Sequence, residues 1–205
     1  MPELALTFDR PAAELQATGL EAQAKQATRI LHNDILPSWN LIHSLSSARI
    51  DIVLDNSGFE LFTDLLLADY LVSCTPHVSK VVFHGKGIPW FVSDVVPADF
   101  TRLVSSLADP SFFPTSSNAQ SVESLEALAT MAARWQSHIE TGRFTMSVPM
   151  GSRLGEGGAA DFWCGPRTFH HLPAEAPELL VEMQKAKLVI FKGDVSSFLS
   201  TTDEV

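Results

Sequence analysis

The sequence predicts an α/β fold: a three-layer α/β/α sandwich around a mainly parallel, Rossmann-like sheet, preceded by a short helical N-terminal segment. Three observations carry this expectation. Short β-branched runs alternate with longer stretches of helical period, the pattern of helices packed on both faces of a sheet. The best-defined stretch, residues 50–84, reads strand, helix, strand, the order of a parallel crossover unit. An apolar content of 45% over 205 residues is enough to bury one core of ordinary domain size.

Taken in order, residues 2–13 show no period and read as a loose arm. Residues 15–47 are rich in Ala, Gln and Leu, with Ile30, Leu31, Ile35, Trp39 and Ile42 near helical spacing, and predict two helices broken at Pro37. Ile50-Asp51-Ile52-Val53-Leu54 is a strand stopped by the turn residues Asp55-Asn56-Ser57-Gly58. From Phe59 the period becomes helical: Leu61, Phe62, Leu65, Leu66, Ala68, Leu71 and Val72 recur so densely that this helix must be buried on most of its circumference.

Lys80-Val81-Val82-Phe83-His84 repeats the strand pattern and stops at Gly85-Lys86-Gly87. Beyond Pro97, residues 99–107 predict a short helix and 109–120 a surface loop. Residues 121–139 predict an amphipathic helix with Ser121 as its N-cap. Residues 143–148 suggest a third strand, 151–158 a glycine-rich loop and 175–185 a helix. Leu188-Val189-Ile190-Phe191 is the last strand, ending at Lys192-Gly193-Asp194. The expected organisation is therefore a helical segment over 1–48 and an α/β domain over 49–205.

Charge and cysteine usage narrow the function. A net charge of −10 argues against a nucleic-acid or anionic-membrane partner, so a phosphorylated ligand would need a cation or well-placed amides. The two cysteines, Cys74 and Cys164, form neither a disulfide framework nor a zinc knuckle and fit a reducing compartment. With no signal peptide and no apolar run of spanning length, the expected location is the cytoplasm. Nothing in the sequence sets an oligomeric state.

In an open parallel sheet ligands bind beyond the carboxyl ends of the strands. Asp55 and Asp194 closely follow apolar strands, and Ser93-Asp94 follows the apolar stretch 88–92. Asp55-Asn56 offers oxygen donors only, the kind of set that suits a hard divalent ion such as Mg²⁺ or Mn²⁺, which would draw in and polarise a phosphoryl group. The same tetrapeptide is also an ordinary turn and N-cap sequence. Lys86, in its Gly-Lys-Gly loop, reads either as a phosphate contact or as a solvated lysine.

His84 and the pair His170-His171 lack zinc-site spacing and read as structural residues. Gly155-Glu156-Gly157-Gly158 forms no dinucleotide fingerprint. Trp90, Phe91, Phe162 and Trp163 line a pocket or pack in the core, the commoner use of aromatic residues. Neither cysteine has a histidine arrangement that would make it a nucleophile.

The stretch 54–65, Leu-Asp-Asn-Ser-Gly-Phe-Glu-Leu-Phe-Thr-Asp-Leu, resembles the signature of the damage-control phosphatase family, specifically its sugar-phosphate subfamily III, also described as protein-glutamate carboxyl methyltransferase-like. Phe83-His84-Gly85-Lys86, Pro89-Trp90-Phe91-Val92-Ser93-Asp94, Phe162-Trp163 with Gly165-Pro166, and 188–194 follow in the family's order. The resemblance implies a metal-dependent phosphomonoesterase acting through a metal-activated water on small phosphorylated sugars such as fructose 1-phosphate, with Mn²⁺, Co²⁺ or Ni²⁺. It assigns catalytic and metal-binding roles to Asp55, Asn56 and Asp94. Asp194 begins the substrate-contacting segment, and Glu60 falls at an acid linked to S-adenosylmethionine and to protein-glutamate methylation.

Two departures shape the expectation. After Gly193-Asp194 the family continues Leu-Asn-Tyr-Arg-Lys-Leu, whereas this chain reads Val195-Ser196-Ser197-Phe198-Leu199-Ser200, and the later Arg-Thr-x-Lys motif is missing. The resemblance therefore also implies a shortened C-terminus and helical N-terminal part, and an alternative in which the fold persists with impaired catalysis, because cations that would neutralise transition-state charge are absent.

Overall fold

Among the described residues four strands, β1 (Ala48–Val53), β2 (Val78–His84), β3 (Phe144–Met146) and β4 (Leu188–Phe191), pair in the order β3-β2-β1-β4, every pair parallel. The computed structural model describes residues 30, 32–112, 122–156, 158–166 and 168–193. The chain divides into two units, Met1–Leu41 and Ile42–Val205. The expected arm, the residues ahead of Ile30, the N-cap Ser121 and Asp194 lie outside the described residues.

In the first unit the description begins with exposed Ile30, an exposed His32–Asp34 ion pair and the start of helix α1 (Ile35–His43). Pro37 does not break a helix, contrary to the sequence reading. It sits in the first turn of α1, where an amide without a hydrogen is tolerated because the opening turn lacks intrahelical acceptors.

In the second unit register fixes the two faces of the sheet. Ile52 is opposite Phe83 and Val53 opposite His84, so Ile50, Ile52, Val81 and Phe83 share one face and Asp51, Val53, Val82 and His84 the other. The first face is covered by α2 (Phe59–Cys74), α3 (Pro97–Ala108) and α4 (Val122–Glu140): Phe83 packs on Phe100 at 5.1 Å and on Phe144 at 5.5 Å, and Phe62 on Trp135 at 5.7 Å. The second face is covered by the 3-10 helix Ala159–Cys164 and by α5 (Leu172–Glu175) and α6 (Pro177–Met183), whose Phe162, Leu172, Leu179 and Met183 bury Val53. The three-layer sandwich follows, with chain reversal across the sheet between β3 and β4.

Local chemistry accounts for the boundaries. Gly58 opens α2 at φ 70°, a conformation that excludes most side chains. Pro97 stands at the start of α3, where the Asp99 carboxylate accepts from the Val96 amide at 3.1 Å. The helix expected over 175–185 is α6, which begins at Pro177, and the separate four-residue α5 ends before it because proline cannot continue a helix. Among the described residues no helix is long and apolar enough to cross a membrane.

Candidate functional site

The carboxyl ends of β1, β2 and β4 converge. Backbone bonds Leu54 N to His84 O at 3.0 Å and Lys192 N to Val53 O at 2.9 Å carry the pairing one step past the strands. Asp55 and Asn56 leave the sheet there, and β4 lies on one side of β1 while the crossover to β2 goes to the other. That is a topological switch point, the position at which open α/β sheets take ligands.

The loop after β2 folds back over this rim. Gly85 permits the approach, since a Cβ there would stand 2.7 Å from Met146 Cε and 3.1 Å from the Val95 carbonyl oxygen. Phe91 at φ 51° and Val92 at φ 77° then turn the chain in the left-handed region, which is costly for an aromatic and more so for a β-branched residue. The reversal lays Ser93 to Val95 antiparallel to Asp55 to Ser57: Val95 N donates to Asp55 O at 2.8 Å and Ser57 N to Ser93 O at 2.7 Å. Asn56 and Asp94 are thus a pair without mutual hydrogen bonds, the closer type, with Cα atoms about 4.5 Å apart and side chains on one side of the ribbon.

Side chains knit the cluster. Asn56 Nδ2 donates to Asp55 Oδ2 at 2.8 Å and to Glu60 Oε2 at 3.0 Å, while its Oδ1 accepts from Ser93 Oγ at 2.6 Å. Lys192 Nζ lies 3.1 Å from Glu60 Oε1 and 3.2 Å from Asp64 Oδ1. Lys86 is buried, its Nζ donating to the Leu54 carbonyl at 2.5 Å, so it is not the solvated loop lysine of the alternative reading.

Among the described residues the rim carries a deficit of positive charge. Burial pushes the Lys86 pKa down, with Asp94 and Asp55 pulling the other way. Burial pushes Asp64 up against the pull of Lys192. Burial also works against the Lys192 charge, yet Asp64 and Glu60 hold its pKa above the ordinary lysine value. Four carboxylates, Asp55, Glu60, Asp64 and Asp94, stand against the ammonium groups of Lys86 and Lys192. A divalent cation would offset the surplus, and the oxygen-only set Asp55, Asn56 and Asp94 has the chemistry to hold one. Among the described residues no three His, Cys, Asp or Glu side chains could do so by themselves; here the third donor is an amide.

The structure brings Asp55, Asn56, Glu60, Lys86 and Asp94 to one rim, while Asp194 lies outside the described residues. His84 is wholly buried and donates through Nε2 to Asp51 at 2.9 Å, and Asp51 is further gripped by Arg49 at 2.7 Å, so the ring is structural. His170 and His171 lie in an exposed 3-10 turn. Phe162 and Trp163 pack in the core beneath the rim; Phe91 is 83% exposed. Sequence reasoning gave no site role to Asp64 and Lys192, and named Ser93 only as the neighbour of Asp94. The signal was present: Asp64 follows Glu60 by one helical turn, on the same face of α2.

Comparison with known proteins adds to this geometry. Residues 7–201 match the damage-control phosphatase ARMT1-like domain. The chain is 39% identical to damage-control phosphatase ARMT1 of Mus musculus over 173 residues, 82% of this chain and 34% of that protein. It is 37% identical to the Bos taurus protein of that name and 34% to that of Homo sapiens, each over 174 residues with the same shares. The chain therefore spans about a third of the length of these relatives.

Proposed function

Because the chain belongs to the ARMT1-like damage-control phosphatase family, we propose that its rim is the metal and phosphate site of a phosphomonoesterase acting on small phosphorylated sugars, with fructose 1-phosphate as the type of substrate. The observation that supports this most is the pairing of Asn56 with Asp94 beside Asp55, which gathers three oxygen donors at the switch point of the sheet. Asp55, Asn56 and Asp94 would hold Mn²⁺, Co²⁺ or Ni²⁺. When bound, such an ion supplies charge neutralisation for the phosphoryl oxygens and lowers the pKa of water.

The chain's own residues divide the remaining work. Lys86, buried and within electrostatic reach of Asp94 and Asp55, would present a charge that favours an anionic ligand over bulk water. The first turn of α2, which has no side-chain cap at Gly58, would direct amide hydrogens and the positive end of the helix dipole toward the same rim. Asp194, three residues beyond Phe191 in the sequence, would orient the sugar. Binding in the cytoplasm of a free sugar phosphate, without nucleic acid or membrane, accords with the acidic composition.

The test is inorganic phosphate release from fructose 1-phosphate by the Mn²⁺-loaded protein beside Asp55→Ala. Release by the first and background by the second supports the reading; equal rates remove the site assignment. The departure at 195–200 from the family's cationic continuation favours a second reading, a metal-binding protein with impaired turnover. Its signature is a Mn²⁺-dependent rise in melting temperature without phosphate release. For S-adenosylmethionine, Glu60 would have to exchange its contacts with Asn56 and Lys192 for the cofactor, and calorimetry with that cofactor showing no heat counts against it.

A further inference from the structure

We infer that Glu60 is a positioning residue that fixes the amide of Asn56 with its oxygen available to the metal; this rests on the proposed metal role of Asn56. A carboxamide has two ends of similar shape, and only its oxygen can ligate a cation. At Asn56 the choice is made by Glu60 and Asp55: Nδ2 donates to Asp55 Oδ2 at 2.8 Å and to Glu60 Oε2 at 3.0 Å. Reversing the amide would set Oδ1 against two carboxylates, whereas the Ser93 hydroxyl, which now donates to Oδ1 at 2.6 Å, could equally accept from Nδ2, so the carboxylates decide the orientation.

Glu60 is held in turn. Its other oxygen, Oε1, meets Lys192 Nζ at 3.1 Å, and Lys192 is fixed from behind by its backbone bond to Val53 and by Asp64. The relay Lys192, Glu60, Asn56 therefore ties the end of β4 and the first turn of α2 to one donor atom. Partners of this kind around metal ligands commonly change affinity by about 10- to 100-fold when removed.

The experiment is a double-mutant cycle read by calorimetric titration of Mn²⁺ into chelator-stripped protein: wild type, Glu60→Ala, Asn56→Asp and the pair. A carboxylate at position 56 has two equivalent oxygens and needs no orienting. Glu60→Ala is therefore expected to weaken Mn²⁺ binding by about 10- to 100-fold beside Asn56, and to cost nothing or to tighten binding beside the Asn56→Asp substitution. An equal loss in both backgrounds, or no loss in the first, overturns the assignment.

Glu60→Gln, which keeps an oxygen for the Asn56 amide, should retain most of the affinity; a loss equal to that of Glu60→Ala would mean that Glu60 acts by charge alone and overturns it too. In the metal-free protein the Asn56 side-chain amide protons should exchange slowly and shift on Glu60→Ala, a readout independent of metal and of activity, whereas an amide unaffected by Glu60→Ala contradicts the proposal. Wild type that takes up no Mn²⁺ removes the metal reading itself and this assignment with it, while wild type that binds alongside an unimpaired Glu60→Ala removes this one alone.

Discussion

Two charged clusters flank α2, and they are built on opposite principles. Between α2 and α4, Asp69 accepts from Arg134 Nε at 2.8 Å and from Ser73 Oγ at 2.9 Å, and His138 Nε2 lies 2.9 Å from Ser73 Oγ and 3.3 Å from Asp69. Every charge there has a counter-charge or hydrogen-bond partner within the protein. At the rim, by contrast, carboxylates outnumber ammonium groups among the described residues and the helix start carries no side-chain cap. A cluster closed on itself serves packing, whereas one left with surplus negative charge is fitted to something that binds.

The largest effect expected from this contrast is at the closed cluster. Asp69→Ala should lower the unfolding free energy by about 1–2 kcal/mol, because it removes the carboxylate that Arg134, Ser73 and His138 share while Arg134 stays half-solvated, and should leave Mn²⁺ binding intact. Chemical denaturation with and without the metal checks both halves. Asp55→Ala should behave in the opposite way: phosphate release falls by about 100-fold or more, while the metal-free protein melts little lower, since the side chain removed is only partly buried and its partner is the neighbouring Asn56 amide. A large loss of metal-free stability in Asp55→Ala would erase the distinction.

The pH dependence sharpens it further. Burial and the neighbouring Arg143 hold His138 below its ordinary pKa of 6.5, against the opposing pull of Asp69. It is neutral in the fold, so as pH drops below 6.5 the unfolded chain takes the proton first and stability declines. Burial raises Asp69, but Arg134 and Ser73 more than reverse this and hold it at about 2, below its ordinary 3.8. Its contribution is complete above 3.8 and is lost as pH falls toward 2. With Arg134 half-exposed and screened, that contribution is on the order of 1 kcal/mol. Melting curves should fall in two steps, and His138→Gln should abolish the upper one only.

The smallest effect tests the strained reversal at the rim. Val92→Gly should raise stability by about 0.5–1 kcal/mol, because glycine adopts φ 77° freely, and the gain outweighs the added freedom of the unfolded chain. A lower melting temperature would mean that the Val92 side chain, 89% exposed, contributes a contact that outweighs the strain.

The parts of this molecule that were legible in the sequence are those set by local pattern. The apolar runs of β1, β2 and β4 and the helix α2 appear where expected, β1 and β2 because a strand buried on both faces must be almost continuously apolar; but α2 is not buried on most of its circumference, since Phe59, Leu66, Leu67 and Tyr70 are exposed. Pro37 and Pro177 were misread or passed over for one reason: proline breaks a helix only from inside, and which residue opens the first turn is decided by context. At the site, Asp55 and Asp94 could be found from their places after apolar stretches. Lys86 could not be distinguished from a solvated lysine, since its burial depends on the loop after β2 closing over Leu54. Asp69 and Asp64 look alike as acids in one apolar helix, and only tertiary contact makes one a clamp and the other part of the rim.

The central claim is that Asp55, Asn56 and Asp94 share one divalent ion. Anomalous scattering from crystals grown with Mn²⁺ tests it most directly. The account predicts a single strong peak within bonding distance of an oxygen from each of the three side chains; a peak held elsewhere, or one that omits Asp94, would contradict it.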